Sequence, residues 1–281
     1  MSFISVIGAG TMGSGIAQTL AMHGFEVCMV DTEVAFLECG IENIRASLAR
    51  LVKKGTLTEI TEQDTLNRIH KSLNLEKCVP GSEVVIEAVP EKFELKAELF
   101  KKLDALVSEQ TILATNTSSI SVTRLANVTQ RPQRVIGMHF MNPVPLMKLV
   151  EVINGYETSG ETTARILALS KKIGKEPVEV KDYPGFVANR ILMPMINEAI
   201  YTLYEGIAGR DEIDAVMRLG MAHPMGPLRL ADLIGLDTCL SIMEVLYQGF
   251  RQPKYAPCPL LVNMVHAGKT GVKSGEGFYK Y

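Results

Sequence analysis

No apolar run in this chain of 281 residues approaches the roughly 18 residues that a membrane-spanning helix needs. The first apolar stretch, Met1-Ser2-Phe3-Ile4-Ser5-Val6-Ile7, has no basic flank and runs straight into glycines, so it reads as structure and not as a signal peptide. Charge of either sign is not in excess: a net charge of −2 leaves no electrostatic case for nucleic acid or an anionic membrane. Cysteine is sparse. Cys28, Cys39, Cys78, Cys239 and Cys258 are odd in number, widely spread and form no Cys-x-x-Cys pair. That argues against a disulfide framework and against a zinc site, and it fits a reducing cytoplasm. Internal repeats and low-complexity segments are absent as well. A soluble, cytoplasmic chain is expected, long enough for one large domain or two moderate ones, with an ordinary hydrophobic content of 47%.

Apolar runs of strand length alternate with helical patterns through the first two thirds, the signature of a mostly parallel sheet with helices on its faces. Strands are expected at Ser2–Ile7, Glu26–Val30, Glu83–Val89, Thr111–Ala114, Arg134–Met138, Lys148–Ile153 and Glu176–Val180. Between the second and third, Val34, Leu37, Ile41, Ile44, Leu48 and Leu51 recur at steps of three and four, one face of a helix. Gly55 follows, and Thr61-Glu62-Gln63-Asp64 resembles a capping box that opens another helix. The simplest arrangement is an antiparallel helical pair projecting from the sheet. Tyr183-Pro184-Gly185 is a turn signal. Beyond it the pattern is helical: Val187–Glu205, Arg210–Leu219, Leu228–Gln248 and Pro259–Ala267. A boundary is therefore placed near residue 182, giving units 1–182 and 183–281. The methionines of the second unit (Met193, Met195, Met217, Met221, Met225, Met243) read as core or subunit interface.

Gly8-Ala9-Gly10-Thr11-Met12-Gly13 follows the first expected strand and opens a helix that ends near His23, with Gly24 beyond it. Gly8 permits a tight turn, Gly10 a close approach of backbone to a pyrophosphate, and Gly13 close packing of helix on strand. The helix N-terminus supplies amides and a positive dipole end to phosphates. Asp31 stands eighteen residues beyond Gly13, at the end of the second strand. There it accepts hydrogen bonds from ribose hydroxyls and repels a 2′-phosphate, which selects NAD over NADP. FAD uses the same glycine pattern, but no second segment is suited to a flavin.

Ligands of open parallel sheets lie beyond the carboxyl ends of the strands. Two polar segments fall there, Asn116-Thr117-Ser118-Ser119 and His139 to Asn142. Ser118 and Ser119 can reach a substrate or cap a helix, and spacing does not assign which does which. His139 ends one apolar run, and Glu151 stands in the middle of the next. A carboxylate bonded to one ring nitrogen fixes the tautomer, and the other nitrogen then exchanges a substrate proton. Beside a nicotinamide, that pair suits alcohol oxidation. His23, His70, His223 and His266 show no metal-ligand spacing, so no metal is expected.

Seven segments, in order, make the chain similar to the 3-hydroxyacyl-CoA dehydrogenases almost end to end. They are Val6–Ala17, Ile86–Lys96, Asn116–Ile120, His139–Val152, Asp182–Arg190, His223–Leu228 and Lys273–Tyr279. The compact length, without room for a hydratase domain, is most similar to the bacterial single-function members acting on 3-hydroxybutyryl-CoA. The resemblance implies a Rossmann-type NAD-binding domain with a helical-pair insertion, then a smaller all-helical domain for substrate and dimerisation. It implies an (S)-3-hydroxyacyl-CoA substrate, a 3-oxoacyl-CoA product, and NADH in the reductive direction. His139 is then the base, Glu151 its partner, and Ser118 and Asn189 the residues that hold substrate. Glu91, Lys96, Asn116, Asn142 and Lys273 contribute to the cofactor side. The CoA part falls near the helical insertion, where Arg45, Arg50, Lys53 and Lys54 either meet its phosphates or form a solvated helix face. Met141 replaces a usual phenylalanine, Pro90 interrupts the segment before Glu91, and Arg229 occupies a place often held by glutamate. The apolar helical unit implies a homodimer or a higher homo-oligomer. Two rival readings remain: a dehydrogenase of free hydroxy acids or sugar acids on the same fold, and an NAD-binding protein that has lost catalysis.

Overall fold

The structure is a computed structural model that describes residues 3–281; Ser2, placed in the first expected strand, lies outside the described residues. The chain divides into two compact units, one through Asp182 and one over Tyr183–Tyr281.

The first unit is built on an eight-stranded sheet. In chain order its elements are β1 (Phe3–Ile7), α1 (Thr11–Met22), β2 (Glu26–Val30), α2 (Val34–Lys53), α3 (Glu59–Asn67), β3 (Ile69–Ser72) and α4 (Leu75–Cys78). There follow β4 (Val84–Glu87), α5 (Phe93–Leu106), β5 (Ile112–Thr115), α6 (Val122–Ala126), β6 (Val135–Phe140), β7 (Leu149–Asn154), α7 (Gly160–Lys172) and β8 (Glu176–Lys181). The strand order is β3-β2-β1-β4-β5-β6-β7-β8. All neighbours are parallel except β6 and β7, which run antiparallel. The reversal of strand order beside β1 opens a crevice at the carboxyl ends of β1 and β4, where such sheets take their ligands.

The central strands are buried throughout, and for that reason they read as continuous apolar runs without alternation. Val6, Ile86, Ile136 and Met138 pack with Ile16 and Leu20 of α1, Ile166 of α7, and Leu37, Ile44 and Leu48 of α2. Val34, counted on the apolar face of α2, is 56% exposed. Both α2 and α3 pack back on α1, so the pair does not simply project from the sheet.

Four further expectations change. Thr58, not Thr61, caps α3, its hydroxyl accepting from the Thr61 amide at 3.2 Å. Ile69-His70-Lys71-Ser72 forms the edge strand β3, which places His70 in the sheet and not in the insertion. His139 is the fifth residue of β6 and does not follow the strand. Cys28 and Cys78, expected unpaired, are joined as a disulfide with a Cα separation of 6.1 Å. Val27 and Met29 face the α1 side, so alternation turns Cys28 to the other face of β2, and α4 packs against β2 with Cys78. A contact fifty residues apart through a strand and a crossing helix leaves no trace in cysteine spacing.

The second unit is helical: α8 (Ala188–Tyr204), α9 (Arg210–Gly220), α10 (Pro227–Ile234), α11 (Leu236–Phe250) and α12 (Pro259–His266). The helix expected over Leu228–Gln248 is broken at Gly235, whose φ of +101° no helix continues. Met193 and Met243 are core residues, whereas Met221 is exposed. Two buried carboxylates hold the end of the chain. Asp232 accepts from the amides of Phe278 and Tyr279, both at 2.9 Å, and Asp214 accepts from the Tyr279 hydroxyl at 2.9 Å. Arg229 lays its guanidinium over the Tyr279 ring at 4.1 Å.

Candidate active site

The turn between β1 and α1 is closed by glycine in two places. A Cβ on Gly8, which has φ +104°, would fall 2.6 Å from the Ala88 carbonyl oxygen, and one on Gly13 would collide with the Gly8 carbonyl. Gly10 differs: nothing lies within 4 Å of its absent Cβ, so its backbone is open to an approaching group. Thr11 and Met12 start α1 there, with Thr11 exposed and Met12 packed partly on the core. The Asp31 carboxylate is held against this turn, Oδ2 accepting from the Ala9 amide and Oδ1 from the Thr32 amide, each at 2.7 Å. A tight turn, an open helix N-terminus and an adjacent fixed carboxylate fit a dinucleotide.

Antiparallel pairing sets His139 directly opposite Glu151. His139 Nδ1 lies 2.8 Å from Glu151 Oε2, with the residues 8% and 2% exposed. A carboxylate within the neighbouring strand thus reaches the imidazole without leaving the sheet. Asn116, beyond β5, accepts from the Phe140 amide with its side-chain oxygen at 2.9 Å and so ties the β5 rim to the strand that carries His139.

Between these two features lies a network that spacing had only hinted at. Glu91 Oε1 accepts from the Thr117 hydroxyl, at 2.5 Å, and from the Ser118 and Ser119 amides at 2.9 and 3.0 Å. The hydroxyls of Ser118 and Ser119 approach the same oxygen at 3.3 and 3.1 Å. Neither serine caps a helix; Ser121 caps α6, its hydroxyl accepting from the Arg124 amide. Burial pushes the Glu91 carboxyl up, but the Lys96 ammonium and the donors from Thr117 and Ser118 outweigh it and hold it below the usual range. Pro90 does not displace Glu91 from this turn. Lys96 is 1% exposed and pairs with Glu87 at 2.6 Å as well as with Glu91 at 3.3 Å. Glu87 and Thr115 were missed by sequence reasoning. The available signal was a carboxylate closing the otherwise apolar strand Val84-Val85-Ile86.

A cavity of about 330 Å³ lies in the same unit, lined by Thr11 and Ser14 of α1, Asn43, Ser47 and Arg50 of α2, and the Asn142–Pro145 loop. Of the four basic residues on the insertion, only Arg50 lines it. Lys53 and Lys54 are exposed outside that lining, and Arg45 pairs with Glu42 at 3.8 Å. The loop is braced from behind by Lys175, nearly buried, which donates to the carbonyl oxygens of Val144 and Met147 at 2.5 and 2.8 Å. Burial lowers the Lys175 pKa, as expected of an ammonium held by carbonyls alone. Met141 in this stretch is half-buried.

Two expected site residues belong to the second unit. Asn189 is the second residue of α8 and 8% exposed. Lys273 pairs with Asp237 at 2.6 Å. His23 Nδ1 lies 2.8 Å from the Thr19 carbonyl, and His70 pairs with Glu26. Among the described residues no group of three His, Cys, Asp or Glu side chains gathers as a metal ion would require.

Comparison with known proteins identifies the family. Residues 3–183 match the family model of the 3-hydroxyacyl-CoA dehydrogenase NAD binding domain, and residues 185–281 match that of the 3-hydroxyacyl-CoA dehydrogenase C-terminal domain. A probable 3-hydroxybutyryl-CoA dehydrogenase of Bacillus subtilis is 58% identical, over 99% of this chain and 96% of the relative. One of Deinococcus radiodurans is 55% identical over 98% and 99%. The crystal structure of (S)-3-hydroxybutyryl-CoA dehydrogenase from Ralstonia eutropha superimposes with a TM-score of 0.97 at 51% identity, covering 100% of this chain and 99% of that one. The fold and the glycine turn define an NAD-binding oxidoreductase with a mostly parallel sheet and a separate helical unit. Within that class, the chain belongs to the 3-hydroxyacyl-CoA dehydrogenase family.

Proposed function

We propose that the protein interconverts (S)-3-hydroxybutyryl-CoA, or a similarly short 3-hydroxyacyl-CoA, and the corresponding 3-oxoacyl-CoA with NAD. The observation that carries this reading is the His139–Glu151 pair at 2.8 Å, borne by β6 and β7 of the same sheet whose β1 leads into the glycine turn. NAD, when bound, supplies the hydride acceptor in oxidation, and as NADH the donor in reduction. Gly8, Gly10, Thr11, Met12 and Gly13 form its cradle, Asp31 takes the ribose hydroxyls, and Glu91, Lys96, Asn116, Asn142 and Lys273 serve the cofactor side.

His139 handles the proton. Glu151 holds Nδ1 and orients the ring, so Nε2 removes the hydroxyl proton in oxidation and returns it to the carbonyl oxygen in reduction. Ser118 and Asn189 hold the substrate oxygens. The CoA moiety uses the cavity between α1, α2 and the Asn142 loop, with Arg50 in its lining and Lys53 and Lys54, exposed at the end of α2, for the phosphates. The two units serve as the NAD-binding domain, 1–182, and as the domain for substrate and dimerisation, 183–281.

The active form is a homodimer or higher homo-oligomer in the cytoplasm. An apolar groove of about 460 Å³ on the second unit, lined by Met195, Ala199, Ile207, Ile213 and Val216 among others, supports association with a second copy. No helix among the described residues is long and apolar enough to cross a membrane.

The deciding experiment measures NADH oxidation with acetoacetyl-CoA and with free acetoacetate, for the wild type and for His139→Ala. Turnover that depends on CoA and falls about 10²- to 10⁴-fold in the variant is expected. Equal use of free acetoacetate would favour the hydroxy-acid rival, and unchanged turnover in His139→Ala would end the assignment of the base.

A further inference from the structure

Glu87 closes β4 with a fully buried carboxylate. Three donors converge on it. Lys96 Nζ reaches Oε1 at 2.6 Å, the Val89 amide reaches the same oxygen at 2.7 Å, and the Thr115 hydroxyl reaches Oε2 at 2.7 Å. Lys96 meets two further acceptors, the Val89 carbonyl at 3.2 Å and Glu91 Oε2 at 3.3 Å. Its ammonium is thereby enclosed by protein. The other oxygen of Glu91 collects the amides and hydroxyls of Ser118 and Ser119. A continuous chain of charges runs from the floor of the sheet to the serine turn: carboxylate, ammonium, carboxylate.

We infer that Glu87 is a positioning residue, which through Lys96 and Glu91 sets where Ser118 stands at the rim. The inference rests on the proposed 3-hydroxyacyl-CoA chemistry, in which Ser118 holds substrate. Its physical basis is economy of placement. A buried ion pair is seldom a better way to fill a core than two apolar side chains of the same volume. What apolar side chains cannot do is hold a third charge. Glu91 lies on a loop and about a third of its side chain is exposed; Lys96 holds one of its oxygens while Thr117, Ser118 and Ser119 hold the other. Lys96 is itself restrained by Glu87, which is fixed by the sheet through Thr115 on the neighbouring strand. Burial raises the Glu87 pKa against the pull of Lys96, Thr115 and the Val89 amide, which marks how completely this anchor is withdrawn from water.

The test is a pair of double-mutant cycles. Glu87→Gln and Thr115→Val are made alone and together with Ser118→Ala. Each is assayed for acetoacetyl-CoA reduction, for NADH affinity by fluorescence, for melting temperature, and for amide hydrogen exchange across Asn116–Ile120. Glu87→Gln is expected to lower kcat/KM about ten- to a hundredfold, the cost of a slightly misplaced substrate-holding group. NADH affinity is expected to fall less than kcat/KM, because Glu91 and Lys96 also serve the cofactor side. In the Ser118→Ala background the same substitution should cost only about twofold, because residues acting through one another are not additive. Exchange across Asn116–Ile120 should quicken. Thr115→Val should do the same more weakly, and it carries the test if Glu87→Gln does not fold. Equal losses in both backgrounds, or unchanged exchange in that segment, would overturn the inference alone. A wild type inactive on acetoacetyl-CoA would overturn the functional reading and the inference with it.

Discussion

Asn116 holds Phe140 by its amide, Oδ1 to N at 2.9 Å, one residue beyond His139. Parallel strands β5 and β6 are paired only as far as Thr115 and Gly137, so this side-chain bond continues the ladder where the backbone no longer does. Asn116→Ala leaves the Phe140 amide without that acceptor, a loss worth about 1–3 kcal/mol when the donor is buried. The expected result is a lower melting temperature together with a fall in kcat. Asn116→Asp, which keeps an acceptor oxygen, should restore most of the stability. Equal destabilisation by both substitutions would show that the bond is not the cause.

Glu151→Gln separates charge from geometry. The amide can keep a hydrogen bond to His139 Nδ1 but carries no charge beside the ring. Turnover on acetoacetyl-CoA is expected to fall by about 10²-fold or more, with NADH affinity intact. An unchanged rate would mean that Glu151 only packs beside the ring.

The depressed pKa of Glu91 makes a prediction about acid. Its folded value lies below the ordinary carboxylate range, so the native state binds fewer protons than the unfolded one in that interval. The stability that the ionised group contributes is therefore fully present above the unfolded pKa of about 4.3 and is lost as pH falls through the folded value. The melting-temperature advantage of the wild type over Glu91→Gln should be constant near neutrality and close below pH of about 4. An advantage that persists at lower pH would point to packing and not to charge.

Thiol labelling tests the cysteines. Cys39 is exposed, and Cys239 and Cys258 are buried, with burial pushing the Cys239 thiol up to about 12. Native protein should label at Cys39 alone. Denatured, unreduced protein should show three thiols, and reduced protein five. Five thiols before reduction would show that Cys28 and Cys78 are not joined.

Lys175→Met removes the two bonds that brace the Asn142–Met147 loop from behind. The KM for acetoacetyl-CoA is expected to rise more than kcat falls, because the loop lines the cavity assigned to CoA. Lys175→Arg should recover part of the effect. A fall in kcat with KM unchanged would place the role of Lys175 elsewhere.

How much of this was legible depended on the range of each contact. The glycine turn was readable because its three glycines recur at fixed spacing between a strand and a helix, although the close neighbour of Gly8, Ala88, lies far along the chain. His139 and Glu151 were readable because a buried carboxylate in an apolar run demands a partner, and the next strand was the nearest place for one. The edge strand β3 was hidden by its polar residues, which suit an exposed edge and resemble a loop. Gly235 was hidden because a lone glycine within an apolar helical pattern is tolerated as often as it breaks one. The cap of α3 fell three residues from the expected place, since Thr58 and Thr61 are equally good candidates until the backbone turns. Ser121 took the capping role offered to Ser118 and Ser119 because α6 begins at Val122. The Glu87–Lys96 pair and the Cys28–Cys78 contact each join different elements, and no local pattern encodes such a meeting.

The reversal of β7 has one more consequence, for the order in which the molecule acquires its chemistry. His139 and Glu151 are only twelve residues apart. Had β7 run parallel to β6, a crossover of a dozen or more residues would have had to intervene, and the partner carboxylate would have arrived with a later helix. As built, the loop to be closed is short and its entropic cost is small. The His139–Glu151 pair, the glycine turn and the Glu87–Lys96–Glu91 chain all lie within the first 151 residues, so on a ribosome they emerge before any of the helical unit does.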